Sequence, residues 1–86
     1  MHEFSLITNL LKILDKVQKD QSVEEFLTLN LTVNPYSCID EGNLNFIFQT
    51  LTKDNPAYKN TRIHIHRSTN PACREFVLDS IELSQS

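Results

Sequence analysis

Residues 27–51, LTLNLTVNPYSCIDEGNLNFIFQTL, change their hydrophobic period once and so predict a strand followed by a helix. In the first part apolar residues alternate with polar ones, as in a strand with one buried face: Leu27, Leu29, Leu31 and Val33. In the second part they recur at spacings of three and four, as on one helix face: Leu44, Ile47, Phe48 and Leu51. Pro35 ends the strand because proline cannot donate to a sheet, and Asp40 or Asn43 supplies the helix N-cap.

The flanking sequence adds one helix and two strands. A helix is predicted from about residue 3 to 19, with apolar residues along one face: Phe4, Ile7, Leu10, Leu11, Leu14 and Val17. Residues 61–67 alternate again, and the intervening helix makes this second strand parallel to the first. The last strand, residues 75–83, follows a short turn and runs antiparallel to the second; its apolar phase switches near Asp79–Ser80, which predicts a bulge there.

The predicted fold class is α+β, a small three-stranded mixed sheet with two helices packed on one face. A chain of 86 residues is the length of one domain, so residues 1–86 are treated as a single unit. One edge strand, the first or the last, is expected to be exposed, and pairing of that edge with a second copy would make a homodimer.

Composition excludes several classes of protein. Eleven acidic against eight basic residues give a net charge of −3, which argues against nucleic-acid binding. No apolar run is long enough to span a membrane, the start does not read as a signal peptide, and two cysteines suit a cytoplasmic protein. The single glycine, Gly42, excludes a Gly-rich phosphate loop. No nucleophile is spaced with a base and an orienting acid, so no catalytic residues are predicted and an enzyme is not expected.

Four stretches in this order carry a family resemblance: MHEFSLITNLLKIL (1–14), residues 27–51, RIHIHR (62–67) and FVLDSIEL (76–83). Together they resemble the HypA/HybF family, the nickel-insertion accessory proteins of hydrogenase maturation. The family also carries a zinc subdomain, with two CxxC pairs inserted between the second and the last strand. Here RSTNPACRE (67–75) fills that gap and no CxxC occurs, whereas a closed zinc site needs four ligands. The resemblance therefore implies a HypA-like nickel domain without the zinc insert, and no structural zinc is expected.

The resemblance implies that Ni(II) binds at the start of the chain. Ni(II) with nitrogen ligands favours square-planar or tetragonal geometry, which four groups here could fill: the Met1 amine, the backbone nitrogens of His2 and Glu3, and the His2 imidazole. By resemblance, Asp40 lies near that terminus as a further oxygen ligand or as an acceptor behind the ligands; it is also a plain N-cap residue. The implied partners are a maturation GTPase and a hydrogenase or urease apoprotein. The alternative is a metal-free interaction or dimerisation module derived from the same family.

Several other residues allow two interpretations. His64 and His66 share one strand face and could hold a metal between them, or they form a solvated face. Cys38 is expected to pack as a small buried residue. Cys73 lies in a predicted turn, where it has no role, forms a disulfide between two copies or binds metal adventitiously. Phe46 falls off the apolar helix stripe, with Tyr36 and Tyr58 in the flanking loops, and exposed aromatic residues there could mark an interface.

Overall fold

The structure, a computed structural model, describes residues 3–72 and 76–85. Along the chain it contains helix α1, strand β1, helix α2, a short 3-10 helix and strands β2 and β3: Glu3–Gln21, Val23–Val33, Glu41–Thr52, Pro56–Tyr58, Arg62–Arg67 and Phe76–Gln85. The predicted class is confirmed, since two helices and a three-stranded mixed sheet form an α+β fold. Within the described residues, neither helix combines the length and the apolar character that a membrane span requires.

The sheet has β1 at its centre, in the order β2-β1-β3. β1 and β2 are parallel, as predicted, with Leu29 beside Ile63. β3 is antiparallel to β1 and lies on its other side, with Val33 beside Phe76. β2 and β3 therefore run in opposite directions, as the sequence predicts, but they are not neighbours. The first strand is the centre of the sheet, so the exposed edge cannot be β1.

Three register shifts between β1 and β3 decide which side chains reach the core. One leaves Asp79 of β3 without an opposite residue, because Asn30 pairs with Ser80 and Leu31 with Leu78; the predicted bulge is confirmed. Another leaves Leu27 of β1 unpaired in the same way. The prediction that Leu27 is buried is wrong for this reason: the extra residue turns it to solvent.

Helix α1 is amphipathic, but its buried line begins at Leu6, two residues later than the sequence predicts. The core residues on this helix are Leu6, Ile7, Leu10 and Leu14. Phe4, predicted to be on this line, is exposed, which makes that prediction wrong. At 100° per residue Phe4 lies far from the centre of the buried line, whereas Glu3 lies close to it. The helix therefore turns Glu3 towards its neighbour and Phe4 towards solvent.

The core lies between the two helices and the sheet, and Tyr58, the last residue of the short 3-10 helix, packs into it. The Tyr58 ring stacks on Phe26 at a centroid distance of 5.2 Å and meets Phe48 edge-on at 5.4 Å. It is buried and not an exposed loop aromatic as expected. Burial raises the pKa of the Tyr58 phenol above its ordinary value, and the negative charge of Asp15 adds to the rise.

The outer edge of β2 is hydrogen-bonded to helix α2. Three polar side chains, spaced four residues apart on α2, bond to the backbone of every second residue from Thr61 to Ile65. Glu41 accepts from the N–H of Ile65 at 2.7 Å, and Gln49 donates to the C=O of Thr61 at 2.8 Å. Between them, Asn45 accepts from the N–H of Ile63 at 2.8 Å and donates to its C=O at 2.9 Å. The helix turns this polar line towards the sheet, which exposes Leu51, a residue predicted to be buried. The edge strand is thereby closed to pairing with another chain.

Candidate metal centre

Both helices begin at the same end of the molecule. Since β1 and β2 are parallel, α2 returns along the sheet and starts at the end where β1 finishes. α1 starts there too, because Nδ2 of Asn43 in the first turn of α2 donates a hydrogen bond to Oε2 of Glu3. We call this region the helix-start end; it comprises residues 3–7, the connection 34–40 and the first two turns of α2, residues 41–47.

Asp40 is the N-cap of α2, as one of the two sequence interpretations predicts. Its backbone is extended, with φ −104° and ψ 125°, and its Oδ2 accepts a hydrogen bond from the backbone N–H of Asn43 at 2.8 Å. Capping satisfies an N–H that has no partner inside the helix. A carboxylate has about four lone-pair sites, so one hydrogen bond leaves room for a second ligand.

Asn43 connects the two acidic residues of the predicted site. Its backbone N–H donates to Asp40 and its side-chain amide donates to Glu3, although Glu3 and Asn43 are 40 residues apart in sequence. Glu3 and Asp40 are therefore neighbours in space, each within one hydrogen bond of the same residue. The sequence suggests Asn43 only as an alternative N-cap and gives no sign that it joins the two helices.

The connection that carries Asp40 is fixed to the end of β2. The guanidinium of Arg67 donates to the carbonyl oxygens of Ser37 at 2.6 Å and Ile39 at 2.7 Å. One residue after Asp40, Glu41 accepts from the backbone of β2 through the bond to Ile65 N. These bonds hold the start of α2 in place from both sides, and the sequence analysis does not identify Arg67 or Glu41 in this role.

Electrostatics at the helix-start end favour carboxylates. The N-terminus of each α-helix carries roughly half a positive charge, and here two of them lie together. Glu3, Asp40 and Glu41 are the acidic residues at this end, which contains no lysine or arginine in residues 3–7 and 34–47. A cation bound here is repelled by the helix ends and needs these carboxylates to offset that repulsion.

The described residues supply part of the predicted donor set. Glu3 is the first residue of α1, so its backbone N–H has no carbonyl partner within the helix. Coordination through this nitrogen would therefore not break a helical hydrogen bond. Met1 and His2, the other predicted ligands, lie outside the described residues. Within residues 3–72 and 76–85, no three His, Cys, Asp or Glu side chains form a group that could hold a metal ion.

The other candidate ligands lie elsewhere or differ from expectation. His64 and His66 are exposed on β2, beside Asn30 and Thr32 of β1, on the sheet face opposite the buried Ile63. The pair therefore lies on an exposed face of the sheet, as the solvated-face interpretation predicts, and its role as a metal clamp stays a prediction. Cys38 was expected to be buried and is exposed, because it lies in the connection before α2 and not in the core. Cys73 falls outside the described residues.

Comparisons with known proteins agree with the resemblance. A family model described as "HypA: Hydrogenase/urease nickel incorporation, metallochaperone, hypA" matches residues 1–81. The hydrogenase maturation factor HypA of Actinobacillus succinogenes is 28% identical over 64 residues, which cover 74% of this chain and 56% of that protein. The chain thus spans about half the length of this curated relative.

A solved structure shares the fold. The solution structure of the Ni metallochaperone HypA from Helicobacter pylori matches with a TM-score of 0.78 over 100% of both chains, at 14% sequence identity. At this identity the likeness supports the fold, whereas the family model covers nearly the whole sequence. The chain therefore belongs to the HypA family, a family of nickel-incorporation metallochaperones and not of enzymes.

Proposed function

We propose that this protein binds Ni(II) at its N-terminus and delivers it during hydrogenase or urease maturation. Family membership and the contacts of Asn43 support this proposal, because Asn43 brings Glu3 and Asp40 together where the chain begins. The proposed equatorial ligands are the Met1 amine, the backbone nitrogens of His2 and Glu3, and the His2 imidazole. Asp40 acts as a further oxygen ligand or as a hydrogen-bond acceptor beside them.

The chemistry of this donor set suits delivery of the metal. Nitrogen ligands hold Ni(II) only when the amine and the imidazole are deprotonated, and these groups ordinarily titrate near pH ~7.7–8.0 and ~6.5. Nickel affinity is therefore expected to fall steeply below about pH 6.5, where the imidazole becomes protonated. Ligands close to the chain terminus also exchange without unfolding the core, because the buried residues of α1 begin only at Leu6.

We also propose that residues 1–86 form a single nickel domain without the zinc insert of the family. A closed tetrahedral zinc site needs four ligands, usually cysteine thiolates and histidine imidazoles. This sequence has two cysteines and no CxxC, and its exposed Cys38 lies in the connection before α2. Metal analysis of protein purified without chelators is expected to find no stoichiometric zinc.

The partners proposed for metal exchange are a maturation GTPase and a hydrogenase or urease apoprotein. The description of the family, nickel incorporation into hydrogenase and urease, supports the apoprotein. The GTPase follows from the resemblance of the sequence to the family. Neither nucleic acid nor a membrane is proposed as a partner, in keeping with the net charge of −3.

Calorimetric titration of Ni(II) into untagged protein tests the proposal. His2→Ala is expected to weaken nickel binding at least tenfold, since it removes one of four equatorial ligands. The matched control is His64→Ala, which removes an exposed histidine from β2 and is expected to bind nickel as the wild type does. Equal binding by His2→Ala and wild type would contradict the proposed site, and no nickel binding by wild type would favour the metal-free interaction module.

A further inference from the structure

The exposed aromatic residues of this protein are concentrated at the helix-start end. Five phenylalanines and two tyrosines occur in the sequence. Phe26, Phe48 and Tyr58 are buried and Phe76 is partly buried. The remaining three are exposed at 60%, 79% and 69% of their surface, and all belong to the helix-start end: Phe4, Tyr36 and Phe46.

Each of these three residues is exposed because of the element that carries it. Phe4 lies off the buried line of α1. Tyr36 lies in a tight turn, in which its backbone N–H bonds to Oδ1 of Asn34 at 2.9 Å. At 100° per residue Phe46 lies on the opposite side of α2 from the buried Leu44 and Phe48. Because none of the three side chains is buried in the core, their apolar surface is available to another molecule.

The charge at this end indicates the chemistry of that molecule. Glu3, Asp40 and Glu41 are acidic, and Arg67, a described cation at this end, is held by two carbonyl oxygens. A partner that matches this surface has an apolar patch bordered by lysine or arginine. Aromatic residues are enriched in protein interfaces, where a polar rim surrounds an apolar centre.

We infer that Phe4, Tyr36 and Phe46 form the surface on which a nickel-exchange partner docks, a protein with an apolar patch bordered by basic residues. The inference rests on the proposed function, since it explains how the metal passes between two proteins. Exchange requires a ligand of the partner to reach the metal while the protein still holds it. A docking surface at the same end as Glu3 and Asp40 brings the two ligand sets together and shields the ion from water.

The test uses Tyr36→Ser with Phe46→Ser in one chain and the purified maturation GTPase as probe. Phe4 is left unchanged because it adjoins the proposed ligands. The double variant is expected to bind the GTPase at least tenfold more weakly than wild type, and wild-type binding is expected to weaken as salt is raised. Leu51→Ser is the control: it removes an apolar side chain that is 46% exposed at the other end of α2, and it is expected to bind as wild type does.

Nickel titration of the same proteins separates this inference from the proposed function. The double variant is expected to keep wild-type nickel affinity, because neither substituted residue is a proposed ligand. A wild-type chain that binds the GTPase but no nickel would contradict the proposed function alone. Equal GTPase binding by wild type and double variant, or no binding by wild type, would overturn the docking surface. Wild-type self-association in sedimentation that the double variant abolishes would assign the surface to a second copy and also overturn it.

Discussion

The two sides of helix α2 serve different purposes. One side faces β2 and the core. On this side, Asn45 hydrogen-bonds to the backbone N–H and C=O of Ile63, and the side chain of Phe48 is fully buried. The other side faces solvent, with Phe46 exposed and Asn43 joined to Glu3. Residues only a few positions apart on this helix thus have different roles: some hold the fold together, and others form the candidate site. Substitutions on the first side should change stability, and those on the second should change binding.

The largest expected effect is on the core side, at Phe48. Phe48→Ala should lower the free energy of unfolding by about 3–5 kcal/mol, because it removes a fully buried ring and leaves a cavity. Phe46→Ala is the matched change on the solvent side and should alter stability by less than about 0.5 kcal/mol. Urea denaturation measures both values, and similar losses for the two would contradict the assignment of the helix faces.

Asn45 provides the next largest effect. Asn45→Ala leaves the N–H and the C=O of Ile63 without their partner, and each buried unpaired group costs about 1–3 kcal/mol, so we expect a loss of at least about 2 kcal/mol. Asn60→Ala removes an exposed hydrogen bond to Glu25 and serves as control, with an expected loss below about 0.5 kcal/mol. A loss no larger than that of the control, measured by urea denaturation, would show that the bonds to the β2 edge contribute little to stability.

The comparison also shows what sequence can predict about this fold. The strand–helix sequence 27–51 and the bulge at Asp79 follow from local periodicity, and the structure confirms both. The exposure of Leu27 and Leu51 does not follow from it. The first depends on the register between β1 and β3, and the second on hydrogen bonds from α2 to β2. Both are contacts between segments distant in sequence, which a local pattern does not record.

The candidate metal centre, like the fold, can be predicted from the sequence only in part. Asp40 is recognisable as an N-cap because an acidic residue precedes the apolar helix, and the structure confirms the cap. Its proximity to Glu3 is not visible in the sequence, since it depends on the packing of α1 beside α2 and on the side chain of Asn43. The roles of Met1, His2, Glu3 and Asp40 as ligands remain predictions.

Asp40 allows capping and metal binding to be measured separately. Asp40→Ala should destabilise the protein by about 1 kcal/mol through loss of the cap. Asp40→Asn keeps a good capping residue but removes the charge, so stability should stay within about 0.5 kcal/mol of wild type. If Asp40 also supports the metal, Asp40→Asn should weaken nickel binding several-fold in calorimetry. Unchanged nickel affinity in both variants would leave Asp40 as a cap alone.

The smallest expected effect is the pH dependence that Tyr58 contributes. The pKa of Tyr58 in the folded state is raised above 10.0, so folding favours the neutral phenol. The stability that this preference adds is fully present below about pH 10. That contribution is lost as pH rises through the folded pKa, because the unfolded chain ionises first. Urea denaturation between pH 8 and 11 should show a steeper decline above about pH 10 for wild type than for Tyr58→Phe. Parallel curves would contradict the effect of burial on this phenol.

The central claim, that the chain terminus itself binds nickel, is tested most directly by blocking the Met1 amine. Ni(II) is titrated calorimetrically into protein with a free Met1 amine and into protein acetylated at this amine, after mass spectrometry has confirmed both termini. Acetylation converts the amine into an amide and leaves the His2 imidazole unchanged. We expect the acetylated protein to bind nickel at least tenfold more weakly, with the same stability in urea. Equal nickel affinity in the two proteins would contradict the claim.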